Sequence, residues 1–376
     1  MAGSKYASFI SRFGPKVPVV HYPHFATTCL TTGQHPDPYS GAISPPINLT
    51  TTFLQKSPGV PVLGHYDYSR AGNPTVDRLS DVIAAMEKAK FGSVFSSGCG
   101  ALTAILSLLD SGDHVICGDD VYGGTNRLLN QIFKRFGIEN DMVDMNDVQN
   151  IQKHLKKHTR MIILETPTNP LLKVLDIQKI CALAKSIKAL SVVDNTFATP
   201  YLQSPIDLGA DIVLHSGTKY IGGHSDVISG LAVTNDPKLH ERLRFNLKSI
   251  GPCISPFDAW ILLRSVKTMK VRMDAHCYNT FIIAHFLKEH PKVKKVFFPG
   301  LATHQNHDVA AKQMRSWGGM ISFELKGSAK ETHSFSANMK NFQLAESLGG
   351  VEGLISIPAL MTHLSVPKEM RDKSGI

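Results

Sequence analysis

The stretch Asp211-Ile-Val-Leu-His-Ser-Gly-Thr-Lys-Tyr-Ile-Gly-Gly-His-Ser-Asp226 decides how the rest of the chain is read. Ile212 to Leu214 is an apolar run of strand length, and it gives way to Ser216, Gly217 and Thr218, two hydroxyls and a flexible hinge just ahead of Lys219. Lys219 is therefore offered at a strand end among groups suited to phosphate. A protonated lysine is a poor nucleophile, whereas a desolvated or cation-flanked one forms a Schiff base with a carbonyl compound. A Ser-x-Thr-Lys string after an apolar run is also what a plain strand-to-loop exit looks like, so a second site has to agree.

Just upstream, Leu190 to Val193 form another apolar run, followed at once by Asp194 and Asn195. A carboxylate at one strand end and a lysine at another suit the two ends of a pyridoxal phosphate ring. The ring draws electrons best when its nitrogen is protonated, and a buried aspartate holds that proton. Ser96-Ser97-Gly98-Cys99-Gly100 follows a third apolar run and opens a helix, so its N–H groups make an anion seat to which Gly98 and Cys99 contribute amides and Ser216 and Thr218 add hydroxyls.

Apolar runs at Ser93 to Phe95, His114 to Cys117, Met161 to Leu164, Leu190 to Val193 and Ile212 to Leu214 alternate with helical stretches at Ala101 to Leu109, Arg127 to Phe136 and Ile177 to Ala189. That alternation predicts an α/β fold with a mostly parallel sheet covered by helices, and ligands at the carboxyl ends of its strands. Asn73 and Pro74 start a further helix as cap and first-turn proline, with Val76, Leu79, Ile83 and Met86 on its buried face.

Val193-Asp194-Asn195-Thr196 followed by Ser216-Gly217-Thr218-Lys219-Tyr220 resembles the Cys/Met-metabolism branch of the fold-type-I pyridoxal phosphate enzymes. The likeness runs from about His24 to Ile376 and includes Tyr68-Ser69-Arg70-Ala71-Gly72-Asn73-Pro74-Thr75, Asp120-Val121-Tyr122-Gly123-Gly124-Thr125-Asn126-Arg127, Glu165-Thr166-Pro167-Thr168-Asn169-Pro170 and Leu344-Ala345-Glu346-Ser347-Leu348-Gly349-Gly350. Within that branch the motifs are most similar to the cystathionine gamma-lyases. The resemblance implies that Lys219 is the catalytic lysine, and that Tyr122 stacks on the cofactor ring and takes part in proton transfer. Asn169 would lie against the ring oxygen, Arg127 would bind a carboxylate, and Glu346 and Ser347 would sit in a segment folded over the cofactor. Tyr68 and Arg70 would reach the cofactor phosphate and substrate of a neighbouring subunit, in a homotetramer built of dimers that share active sites. Glu165 reads as a turn carboxylate.

The implied reaction is alpha,gamma-elimination of L-cystathionine to cysteine, 2-oxobutanoate and ammonia, with hydrogen sulfide as a further possible product. Gamma-replacement of the cystathionine gamma-synthase type is the near alternative. Family members continue past the segment that resembles Arg371 to Ile376 into a strand with a carboxylate-binding arginine, so a truncated, catalytically weak cofactor-binding protein is a further expectation.

The 376 residues allow a large core and a second unit, and are expected to divide into an N-terminal arm (1–68), a large cofactor-binding domain (69–263) and a smaller C-terminal domain (264–376), incomplete here. The stretch from Phe25 to Gly64, rich in Thr, Pro and Gly, is expected to run extended without a core of its own. Past Leu263, Met273 to Leu287 reads as a helix, and Val293 to Phe298 and Gly319 to Leu325 as strands. The net charge of +9 comes from Lys and Arg spread along the chain, which points away from nucleic acid. No membrane span or secretory leader is evident, and six scattered cysteines suit a reducing, cytoplasmic setting. His154 with His158, and His304 with His307, read as solvated pairs rather than metal sites.

Overall fold

The computed structural model of the protein describes residues 20–364 together with 11, 12, 16, 18, 369 and 371. Most residues of the expected N-terminal arm before His24, and residues 372–376 of the expected C-terminal domain, lie outside the described residues.

A seven-stranded sheet forms the centre. In chain order its strands are β1 (Phe91–Phe95), β2 (His114–Gly118), β3 (Glu139–Val143), β4 (Thr159–Glu165), β5 (Leu190–Asp194), β6 (Ile212–Ser216) and β7 (Gly230–Thr234). In space they lie in the order β1-β7-β6-β5-β4-β2-β3, and only β7 runs against its neighbours. The mostly parallel α/β sheet is therefore as expected. Two strands lay outside the sequence reading. The edge strand β3, Glu-Asn-Asp-Met-Val, has no apolar run to announce it, and β7, Gly-Leu-Ala-Val-Thr, is a short apolar run buried at every position.

Helices cover both faces because successive strand residues point to opposite sides. Val193 and Val213 pack toward α1 (Pro74–Met86) and α3 (Ile177–Ser186) in one buried cluster. Val192, Ile212 and Leu214 pack toward α2 (Gly98–Leu106) and α4 (Pro237–Ile250) in the other. Each fully buried Leu, Ile or Val in these layers stabilises the fold by about 1.5–3 kcal/mol relative to exposure. Asn73 caps α1 as expected, accepting from Thr75 N at 3.0 Å.

Three local expectations are corrected. Phe25–Thr31 is helical rather than extended, because Phe25 and Cys29 bury themselves; Phe25 packs its ring 4.9 Å from Tyr201. Arg127 to Phe136 is not one α-helix: an α-turn at Gly123–Arg127 passes into a π segment at Leu128–Ile132 and a 3-10 turn at Phe133–Phe136, closed by left-handed Gly137. The strand expected from Gly319 is confined to Ser322–Leu325, paired antiparallel with Val293–Phe297.

Residue 263 falls within α5 (Pro256–Val266), which packs on α1. The long helix α6 (Met269–Glu289) matches its expectation. No described helix is long and apolar enough to cross a membrane.

Candidate active site

The parallel register sets three side chains beside one another at the carboxyl ends of the central strands. Glu165 on β4 is opposite Asp194 on β5, and Asp194 is opposite Leu214, two residues before Ser216 on β6. Asp194 Oδ1 accepts from Thr196 N at 3.0 Å and from Thr196 Oγ1 at 2.5 Å, and Thr196 Oγ1 in turn accepts from Ser216 N at 2.8 Å. Thr196 thus ties the two strand ends together. It was missed as a site residue, although a threonine two positions after a strand-end aspartate is the pattern of a side-chain turn.

Burial pushes the Asp194 carboxyl above its ordinary range, with the Thr196 hydrogen bonds acting against it. Glu165 is raised well above the ordinary range by burial and then by the charge of Asp194. Glu165 spends its oxygens on the backbone: Oε2 accepts from Tyr122 N and Oε1 from Asn169 N, each at 2.9 Å. The turn carboxylate therefore places two candidate residues at once.

Lys219 follows β6 in a tight turn, its N–H donating to Ser216 O at 3.2 Å and its carbonyl accepting from Gly223 N at 2.7 Å. Its ammonium Nζ donates to Ser347 Oγ at 2.8 Å. Burial pulls the amine below the ordinary lysine range, while the nearby Glu346 carboxylate opposes that shift. Gly349 explains how the Glu346–Ser347 segment comes so close. Its φ is +81°, and a Cβ there would lie 2.6 Å from Tyr220 N and 2.8 Å from Lys219 C.

At the other end, Ser97 caps α2 by accepting from Gly100 N at 3.0 Å. Helix geometry leaves the N–H groups of Gly98 and Cys99 without intrahelical acceptors, so they are available to an anion. Gly98 is pressed on β6: a Cβ would sit 3.2 Å from Ser216 Cβ. Burial raises the Cys99 thiol, so it is the neutral thiol at neutral pH and its amide is the useful group. Thr218 differs from the expectation in detail. Its hydroxyl donates to Ser229 O at 3.2 Å and accepts from Ser229 N at 3.0 Å, so a phosphate would have to draw that proton away.

Tyr122 is 44% exposed and stands over Gly124 and Cys99, where a Cβ on residue 124 would be 2.3 Å from Tyr122 Cε1 and 3.1 Å from Cys99 Sγ. Burial raises its phenol, which Arg127 opposes and Glu346 reinforces. Arg127 and Glu346 are thus both close enough to act on the same hydroxyl. Tyr68 and Arg70 are placed differently. The Arg70 guanidinium lies 5.4 Å over the Tyr68 ring and donates to Lys248 O near the end of α4. Within one protomer these contacts do not include Lys219.

Among the described residues no cluster suits a metal ion. His158 does meet a carboxylate, Glu139 Oε2 at 3.2 Å, but Lys156 shares that oxygen at 3.3 Å. His304 and His307 are not a solvated pair: burial pushes His304 down to about 4, and His307 stacks on Trp317 with centroids 5.1 Å apart.

The donor set fits pyridoxal phosphate. Helix N–H groups beside Ser216 would suit a phosphate, Lys219 follows the same strand end, and the buried Asp194, next to Glu165, would suit a protonated ring nitrogen. Comparisons with known proteins agree. Residues 26–376 match the family described as Cys/Met metabolism PLP-dependent enzyme. The chain is 50% identical over 350 residues to a cystathionine gamma-lyase of Dictyostelium discoideum, covering 93% of this chain and 90% of that one. It is also 50% identical over 350 residues to a cystathionine beta-lyase of Lactococcus lactis subsp. cremoris (strain MG1363), covering 93% and 91%. Among solved structures, a cystathionine gamma synthase of Xanthomonas oryzae pv. oryzae in complex with aminoacrylate and cysteine superposes with a TM-score of 0.91 at 41% identity, covering 95% and 92%. The strand-end lysine and aspartate, the helix seat and these likenesses converge: the chain belongs to the Cys/Met metabolism PLP-dependent enzyme family.

Proposed function

We propose that the protein is a carbon–sulfur lyase that cleaves L-cystathionine by alpha,gamma-elimination. The observation that carries this reading is the closeness of Glu346 to both Lys219 and Tyr122, with Arg127 near Tyr122 as well. Cystathionine carries an ammonium and a carboxylate at each end, so a site for it wants an anion and cations beyond those that bind one amino acid. Glu346 suits the distal ammonium; Arg127 of this chain and Arg70 of a neighbour suit carboxylates.

Bound pyridoxal phosphate supplies an electron sink for carbanion charge next to the substrate amine. The chain's own groups do the rest. Gly98, Cys99, Ser216 and Thr218 would hold the phosphate, Asp194 would keep a proton at the ring nitrogen, and Asn169 would hold the ring oxygen. Lys219, whose burial favours the neutral amine, takes the alpha proton and moves the beta proton, while Ser347 Oγ orients its Nζ. Tyr122 would stack on the ring and relay a proton. Positioned proton transfer of this kind is worth about 10² to 10⁴ in rate.

The proposed assembly is a cytoplasmic homotetramer of site-sharing dimers, with 1–68 as the arm, 69–263 as the cofactor-binding part and 264–376 as the smaller part. Product analysis tests the reaction. Purified protein with the cofactor and cystathionine should release cysteine and 2-oxobutanoate in equal amounts. Homocysteine with pyruvate would make it a beta-lyase, and turnover only of an activated homoserine ester with cysteine would make it a gamma-synthase.

A further inference from the structure

The two strand ends that carry Asp194 and Ser216 are also joined from beneath, on the opposite face of the sheet. Asp194 and Ser216 share one face, so the residues Asn195 and His215 turn to the other, toward the end of α1. There Glu87 Oε1 accepts two hydrogen bonds, from Asn195 Nδ2 at 2.8 Å and from His215 Nε2 at 2.6 Å. Glu87 and Asn195 are 0% exposed and His215 is 1% exposed. One oxygen therefore receives a bond from the residue after Asp194 and another from the residue before Ser216. Gln203 extends the unit by donating to Asn195 Oδ1 at 3.0 Å and to Thr166 O at 3.1 Å.

The arrangement is poor value as packing. Glu87 Oε2 and His215 Nδ1 are buried with no hydrogen-bond partner, and apolar side chains of similar volume commonly serve stability as well as or better than a buried polar group left partly unsatisfied. What the unit does that apolar packing would not is hold two strand ends at a set spacing. We infer that Glu87 is a positioning residue which, through His215 and Asn195, sets the distance between the carboxylate that faces the ring nitrogen and the hydroxyl that faces the phosphate. The inference rests on the pyridoxal phosphate site proposed above. A cofactor that must meet both groups at once is sensitive to their spacing.

The test uses the full chain as His215→Leu, which removes the donor, and His215→Gln, whose amide supplies a donor near the Nε2 position. Apo protein is titrated with pyridoxal phosphate and read by visible absorbance, alongside the thermal melt of each apo form. His215→Leu should weaken cofactor binding by about tenfold or more, and His215→Gln should return it to within about threefold of the parent. Parent-like affinity and spectrum in His215→Leu, whatever its melting temperature, would overturn the inference, as would a His215→Gln no better than the leucine variant. Should His215→Leu fail to fold, Glu87→Gln is titrated in its place: about threefold or greater weakening is expected, and unchanged affinity overturns the inference. Failure of the parent chain to bind pyridoxal phosphate at all would instead remove the site reading on which this one stands.

Discussion

In the proposed site Lys219 would carry the chemistry: burial lowers its amine, and one hydroxyl, Ser347 Oγ, fixes its direction. Lys219→Ala should lower 2-oxobutanoate formation by at least about 10² to 10⁴ while leaving the phosphate seat able to bind cofactor. Near-normal turnover would remove Lys219 from its role. A second residue-scale expectation concerns pH. Burial pushes Asp120 up to about 6 from an ordinary 3.8, against the hydrogen bond it accepts from Thr168 Oγ1. Between those values the native state binds the proton more tightly than the unfolded chain, so this group's contribution to stability is present below pH 3.8 and is lost as pH rises toward 6. The stability of the parent relative to Asp120→Asn should therefore decline from pH 4 to pH 7, by up to about 3 kcal/mol, in denaturant titrations. A difference that stays level across that range would show that Asp120 is not proton-linked.

At the scale of elements, the segment after the strand Gln343–Leu344 decides whether Lys219 is enclosed. Gly349 lies against the Lys219 and Tyr220 backbone at a positive φ, Ser347 Oγ meets Lys219 Nζ before it, and Val351 N donates to Gly223 O at 3.1 Å after it, so the segment is pinned on both sides of its closest approach. Gly349→Ala has neither the space nor the conformation. It should cost about 1 kcal/mol or more in stability and lower kcat/KM by about tenfold or more through displacement of Glu346 and Ser347. Steady-state kinetics with a thermal melt check both, and parent-like kinetics would mean that the segment's closeness to Lys219 is immaterial. The elements themselves were legible where apolar runs stood between turn residues, as in β5 and β6. They were not where tertiary contacts override local pattern, as in Phe25–Thr31, whose helix is held by the Tyr201 ring, or at Leu128–Ile132, whose wider turn no residue spacing announces.

For the whole molecule, the exposed apolar side chains along the extended stretch, Tyr39, Ile43, Leu49 and Leu54, are a surface that a partner subunit would cover. In the proposed site-sharing assembly, Arg70 serves a neighbour's phosphate rather than its own. Mixing refolded Lys219→Ala and Arg70→Ala chains should then restore about a quarter of parental activity, because half the dimers are hybrids and each hybrid has one intact site. Activity no greater than the mean of the two variants alone would place Arg70 in its own subunit's site. A chain that elutes as a monomer would equally remove the sharing.

Which residues stand at strand ends was determined by the sequence alone. Apolar runs that stop at Asp194 and a few residues before Lys219, and a glycine-rich helix start at Gly98, follow from short-range pattern and turn chemistry. Only the tertiary structure decided which strand ends are neighbours. The order β1-β7-β6-β5-β4-β2-β3, the register that sets Glu165 beside Asp194, the reach of Ser347 to Lys219 and the bond from His215 to Glu87 all join residues far apart in the chain. Such pairings depend on which backbones hydrogen-bond across the sheet and which side chains the core forces together, and neither leaves a periodic trace in the order of residues.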